Sequence, residues 1–178
     1  EAGQLRTAVL AASGRLAPPS GIRVDGHVVD ARNLAIDAKV FLPAGSLRDQ
    51  SWVLSADNTE EHFSVGVSKQ GTPCFFLGNA TEFIYLAAPV KMPTDRWVRL
   101  SLTLKDDVAA LYLDGQKVGE KPLGQRSVVE LWARTTKLNP ASGPVTTIGR
   151  GFPGRIAEIK VTHTGELPGF DEAPKGAK

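Results

Sequence analysis

From Val98 onward the chain alternates. Val98, Leu100, Leu102 and Leu104 point one way, and Arg99, Ser101, Thr103 and Lys105 point the other. A period of two residues is that of a strand, here with one apolar face and one wet face. Asp106-Asp107 supplies a tight turn, because Asp side chains cap their own backbone there. Ala109, Leu111 and Leu113 resume the alternation against Ala110 and Tyr112. Asp114-Gly115 follows, a pair favoured in two-residue hairpins whose central positions need positive φ. An amphipathic helix needs apolar residues at three-to-four spacing, which this stretch lacks. It predicts a three-stranded antiparallel meander.

Shorter runs of the same kind recur, with turn signals between them. Residues 22–29 are broken by Asp25-Gly26, and residues 34–42 alternate through Ile36, Ala38, Val40 and Leu42 before Pro43-Ala44-Gly45. Residues 52–55 are short, and residues 62–67 alternate through Phe63, Val65 and Val67 before a turn at Gln70-Gly71. Residues 74–77, 82–86, 128–134, 145–148 and 155–162 complete the set, the last alternating imperfectly through Ile156, Ile159 and Val161. Strands spaced by turns, with no long helical pattern, predict an all-β sandwich or barrel. Ala8-Val9-Leu10-Ala11-Ala12 is too short for a signal core and suits a helical turn or two, or the end of a linker. Residues 1–20 are therefore expected to be an N-terminal extension or linker, residues 21–164 the sandwich, and residues 165–178, rich in Pro, Gly and charge, a tail or linker.

Composition narrows the classes. At 178 residues, 42% hydrophobic and 22% charged, the chain can bury one proper core. A formal net charge of +2, with Lys and Arg scattered, does not make the basic stripe that nucleic acid requires. No apolar run reaches the roughly 18 residues needed to span a membrane, so no insertion is expected. Cys74 is the only cysteine, which excludes an intrachain disulfide and a cysteine-based zinc site, and its strand-like neighbours predict a buried, inert thiol. The chain starts at Glu1 and its only methionine is Met92, so a trimmed chain, or one from which a leader or a larger polypeptide was removed, is expected.

Several segments then fall into a known order. "GIRVDG" is an opening strand ending in Asp-Gly, "LAIDAKVFLP" a second strand, and "WVLSADNTEEHFSVGV" the pair after it. "DRWVRLSLTL" with "AALYLDGQKV" places a Trp before a strand and closes the next hairpin with Tyr-x-Asp-Gly, and "TTIGRGFPGRIAEIKV" makes a closing Ile-Gly…Gly-x-Ile strand. This series resembles the concanavalin A-like lectin/glucanase superfamily, especially its laminin-G-like and pentraxin-like members, over residues 21–161. The resemblance implies a jelly-roll β-sandwich of two curved antiparallel sheets. The superfamily spans lectins, glycosidases, adhesion modules and inert spacers, so function has to be argued from a site.

Catalysis finds little support. Retaining glycoside hydrolysis needs two carboxylates about 5–5.5 Å apart, and the Glu-x-Asp-x-x-Glu run of the glucanase members is missing here. Asp57, Glu60 and Glu61 cluster in "ADNTEE", whose sequence is turn-like, and Asp37 is alone in its strand. His27, His62 and His163 have no metal-ligand spacing, and no Gly-x-Ser-x-Gly elbow occurs. The chain is not expected to be an enzyme.

Binding is the better expectation. In pentraxin-like members an Asp-Asn pair holds calcium with a second acidic loop. Asp57-Asn58 matches the pair, but "GRGFPG", where the second loop would fall, carries no acid. A hard cation wants six to eight oxygens, so no cofactor is expected, with Asp57 and Asn58 as the metal ligands if calcium binds. Trp52 and Trp97 match strand-end core residues of the family. Trp132 lies among polar neighbours in "VELWARTTK", with Arg134 and Glu130 on its face if the segment is extended. Core packing remains open for Trp132, which is nonetheless the first candidate platform for a ligand. Asn79-Ala80-Thr81 is a glycan acceptor sequon whose meaning depends on the secretory route. The sequence thus predicts a non-catalytic carbohydrate- or protein-binding module of a larger extracytoplasmic protein, whether secreted, cell-surface or periplasmic. It would bind through Trp132, Arg134, Glu130, Asp57 and Asn58, against a glycan or protein surface and beside neighbouring domains. A structural or assembly domain packed on a catalytic neighbour is the alternative, and a glycoside hydrolase using Glu60 and Glu61 the third.

Overall fold

The computed structural model describes residues 8–10, 22–24, 34–57, 62–78, 83–124 and 145–162, with the backbone alone at 8–10, 22–24, 57, 62, 145 and 146. These residues form twelve strands: β1 (Ala8–Leu10), β2 (Ile22–Val24), β3 (Leu34–Phe41), β4 (Ser51–Asp57), β5 (His62–Val67), β6 (Pro73–Gly78), β7 (Phe83–Ala87), β8 (Trp97–Lys105), β9 (Val108–Leu113), β10 (Gln116–Pro122), β11 (Val145–Ile148) and β12 (Arg155–Thr162). Two six-stranded antiparallel sheets result, sheet A in the order β1-β12-β3-β8-β9-β10 and sheet B in the order β2-β11-β4-β5-β6-β7. This is the jelly-roll β-sandwich that the alternation and the resemblance predict.

The hairpins form for the reasons given by their turn residues. Asp106 and Asp107 sit at φ 50° and 57°, and Asp114 and Gly115 at φ 49° and 82°. Two successive positive φ values make the type I′ turn, whose twist matches that of the flanking strands. Inward residues of both sheets then meet in one core: Ile36, Val40, Leu100, Leu102 and Leu111 from sheet A, and Leu54, Phe63, Val65, Phe75 and Leu77 from sheet B. Phe63 and Phe75 cross edge-to-face at 5.5 Å, a geometry that aromatic quadrupoles favour. Phe152 enters the core from the turn between β11 and β12, where Gly149 and Gly151 take positive φ. Gly149 and Gly151 of "GRGFPG" thus form the turn, while Gly154 permits a close approach, since a Cβ there would fall on the Phe41 carbonyl oxygen. Across the sandwich's side, Lys121 Nζ donates to the Tyr85 carbonyl at 3.0 Å, tying edge strand β10 to edge strand β7.

The structure corrects several expectations. Residues 8–10 are neither helical nor the end of a linker: they are an edge strand paired with β12. The polar face of β8 is not wet along its length, because Ser101 is fully buried and Thr103 nearly so. The imperfect alternation of residues 155–162 is a bulge between Ile156 and Glu158, where one extra residue shifts the register against β3. Trp97 is not in the core. Residues 128–134 lie outside the described residues.

A second bulge, in β4 between Trp52 and Leu54, explains one glycine. The bulged backbone passes over Gly66, so a Cβ there would fall on the Ser51 carbonyl oxygen and 2.8 Å from the Trp52 Cα. Backbone cannot yield as a side-chain tip can. Gly66→Ala is therefore expected to destabilise by about 3 kcal/mol or more, read as a lower urea midpoint. An unchanged midpoint would mean that β4 does not cross there.

Candidate functional site

Three neighbouring strands, β12, β3 and β8, turn a set of polar and aromatic side chains to the outer face of sheet A. Their register sets the pattern. Arg155, Phe41 and Trp97 form one cross-strand row, Glu158, Lys39 and Arg99 the next, and Lys160, Asp37 and Ser101 the third. With strands about 4.8 Å apart and alternate residues about 6.7 Å apart, the nine positions cover about 10 by 13 Å, a footprint suited to a disaccharide.

The lower rows are pre-assembled. Asp37, only 3% exposed, accepts a 2.7 Å hydrogen bond from Ser101 Oγ and faces Arg99 Nη1 at 3.1 Å. Arg99 Nη2 lies 3.6 Å from Glu158 Oε2, and Lys160 Nζ lies 3.3 Å from Glu158 Oε1. The backbone is held as well: the Arg99 N–H donates to Asp114 Oδ1 at 2.8 Å, while Asp114 Oδ2 pairs with Arg96 at 3.0 Å. A chain of fixed donors and acceptors loses little entropy when a ligand hydroxyl joins it.

The first row is the open end. Trp97 is 39% exposed and meets Phe41 edge-to-face at 5.7 Å, with an interplanar angle of 63°. Lys39 Nζ stands 5.8 Å from the Trp97 ring centre, and the Arg155 guanidinium 5.7 Å from that of Phe41. At the opposite end of the same face Ala35, Thr103 and Thr162 are buried. A ligand on this face therefore meets the aromatic row.

Sheet B offers less. Phe83, 60% exposed, stacks on Phe76 at the β7 edge, without a charged side chain beside the pair in their rows on β6 and β7. Ser55 Oγ has no hydrogen-bond partner among the described residues, but it is sealed from solvent. Cys74 is buried, as the sequence predicts, and accepts from Gln50 Nε2 at 3.7 Å. Burial pushes its thiol from 9.0 up to about 11, with the Gln50 and Tyr85 contacts opposing weakly. Folding therefore favours the protonated thiol: that stability is complete below about pH 9 and is lost as pH rises through about 11. Equilibrium unfolding between pH 8 and 11 is expected to show this decline, and Cys74→Ala to flatten it. An equally steep decline in Cys74→Ala would assign it elsewhere.

The residues singled out from sequence are placed unevenly. Glu130, Trp132, Arg134 and Asn58 lie outside the described residues, and so do Glu60, Glu61, His27, His163 and the sequon. Asp57 is the last residue of β4, its backbone paired with Val145 and His62. Among the described residues no three His, Cys, Asp or Glu side chains converge as a metal site would require. Trp52, expected in the core, is half-buried. Sequence reasoning missed Phe41, Trp97, Arg99, Glu158 and Lys160 as candidate site residues. A signal for Trp97 was present in the alternation: it shares the parity of Arg99 and Ser101, not that of Val98 and Leu100.

Known proteins share this architecture. A family model described as the concanavalin A-like lectin/glucanases superfamily matches residues 20–164. A search of curated proteins returns no match. Among solved structures, the CBM40 of the Ruminococcus gnavus IT-sialidase superposes with a TM-score of 0.62 at 13% identity, covering 90% of this chain and 94% of that one. The same CBM40 has been solved bound to α2,3-sialyllactose. Domain 4 of an extracellular arabinanase from Geobacillus stearothermophilus, in complex with arabinotriose, gives 0.59 at 14% identity over 87% of this chain and 75% of that one. A galectin from Caenorhabditis elegans gives 0.52 at 8% identity over 87% and 96%. At these identities the likeness is one of fold.

Proposed function

Because the chain belongs to the concanavalin A-like lectin/glucanases superfamily, we propose that it is a non-catalytic carbohydrate-binding module of a larger extracytoplasmic protein, holding its glycan on the outer face of sheet A. The observation that carries this reading is the half-exposed Trp97 beside the interlocked Asp37–Arg99–Glu158–Lys160 chain. A sugar ring presents an apolar face of C–H groups and a rim of hydroxyls. The indole matches the first, and the guanidinium, ammonium and carboxylate groups match the second. Two of the structural neighbours were solved with oligosaccharides bound, which accords with a sugar ligand.

The same chain argues for holding rather than cutting. Hydrolysis needs one carboxylic acid to give a proton and a second carboxylate free to attack or to activate water. Here Arg99 reaches both Asp37 and Glu158, so each carboxylate is tied to a cation. No helix among the described residues is long and apolar enough to cross a membrane, and an extracytoplasmic location accords with the glycan reading.

A glycan array followed by isothermal titration, with and without a calcium chelator, tests the function. Saturable binding unchanged by the chelator is expected. Binding that collapses on chelation would restore the Asp57-Asn58 calcium loop. No glycan binding, together with a stable oligomer in light scattering, would favour the assembly domain.

A further inference from the structure

The charge around the aromatic row is unequal. Of the cations in or beside these three rows, Arg99 and Lys160 are met by Asp37 and Glu158, and Arg96 by Asp114. Lys39 and Arg155 are not: both are exposed, and each has an aromatic ring as its contact, with no carboxylate within ion-pair distance among the described residues. They stand on β3 and β12, flanking the Phe41–Trp97 pair. A cation at about 6 Å from a ring centre is near the limit of that attraction and remains well hydrated, so it is held weakly. A negatively charged group arriving beside the rings would compete with them for these cations.

From this we infer that the glycan bound at Trp97 is an acidic one, a sugar bearing a carboxylate or a sulfate, with its ring against the indole and its anionic group received by Lys39 and Arg155. The inference rests on the glycan reading above and adds the ligand's charge to it. A neutral sugar would use the indole and the Arg99–Glu158 hydrogen bonds and leave these two cations idle. An acidic sugar engages these two cations as well as the indole, and its charge-assisted bonds are about twice as strong as neutral ones. The Arg155 guanidinium can receive either anion through two parallel N–H donors.

Paired ligands that differ only in charge provide the test. Titration would use an oligogalacturonate and its methyl ester for the carboxylate, and a sulfated galactan oligosaccharide free of uronic acid and its desulfated form for the sulfate. At least one acidic member is expected to bind about tenfold or more tightly than its neutral partner, with affinity falling as salt rises. In Lys39→Gln/Arg155→Gln that preference should disappear while the weaker neutral binding persists. Both side chains are exposed, so the fold should be unaffected, and an unchanged melting temperature checks this. The pair that responds identifies which acid is read. Equal affinity for acidic and neutral partners, or a preference that survives the double substitution, would overturn the charge assignment and leave the glycan reading standing. No binding of any of the four would overturn both.

Discussion

Trp97→Ala is expected to weaken glycan binding by roughly thirtyfold, equivalent to about 2 kcal/mol. A tryptophan contributes a large rigid apolar face at low entropic cost, and energetically dominant contacts are enriched in this residue. The fold should lose less. Trp97 is 39% exposed, and its described ring contacts are the Phe41 edge and the Lys39 ammonium. An edge-to-face pair is worth about 0.5–1.5 kcal/mol beyond the area it buries. The diagnostic result is a binding loss larger than the stability loss, with Trp97→Phe intermediate. If Trp97→Ala bound glycan as the parent does, sheet A would not be the binding face.

The second large effect concerns stability. Asp37→Ala is expected to cost about 3 kcal/mol in chemical denaturation, because removing a buried carboxylate takes their acceptor from the groups that face it. Asp37 is 3% exposed, and its loss strips the fully buried Ser101 hydroxyl of its 2.7 Å acceptor and Arg99 of its 3.1 Å partner. The Arg99 side chain keeps 23% of its surface in water, which moderates the penalty. Asp37→Asn keeps an acceptor for Ser101 and should cost about half as much. Combining Asp37→Ala with Arg99→Ala should cost less than the two separately, since they remove one interaction. Additive costs would mean that the pair does not couple β3 to β8. Because Arg99 also positions Glu158, Asp37→Ala should weaken glycan binding too.

Much of the fold was legible because the relevant signals are local. A period of two fixes which residues of β8 face the core, and Asp106-Asp107 and Asp114-Gly115 announce hairpins through backbone preferences that no distant contact needs to supply. What lies over a sheet's outer face is a tertiary matter, which is why Ser101 and Thr103 looked wet and are buried. Bulges are equally hard to read. One extra residue in β12 disturbed the alternation without revealing that it brings Glu158 beside Arg99. Ala8–Leu10 carries too short a pattern to tell strand from helix, and its pairing with β12 decides the matter.

The site was half legible. Parity alone puts Trp97 on the outer face with Arg99. That inference competed with the family pattern, which places a strand-end tryptophan in the core, and the alternation was the better guide. Asp37 looked solitary because its partners, Ser101 and Arg99, lie more than sixty residues away along the chain. Only the register of β3 against β8 brings them together.

The most direct test follows the tryptophans themselves. The chain has three, Trp52, Trp97 and Trp132, so a ¹H–¹⁵N spectrum of the protein resolves three indole N–H resonances that single substitutions assign. During titration with a glycan that binds, the Trp97 indole is expected to shift to saturation, while those of Trp52 and Trp132 stay in place. A Trp132 resonance that moves while Trp97 remains still would transfer the site to the segment carrying Glu130 and Arg134, and would contradict the account given for sheet A.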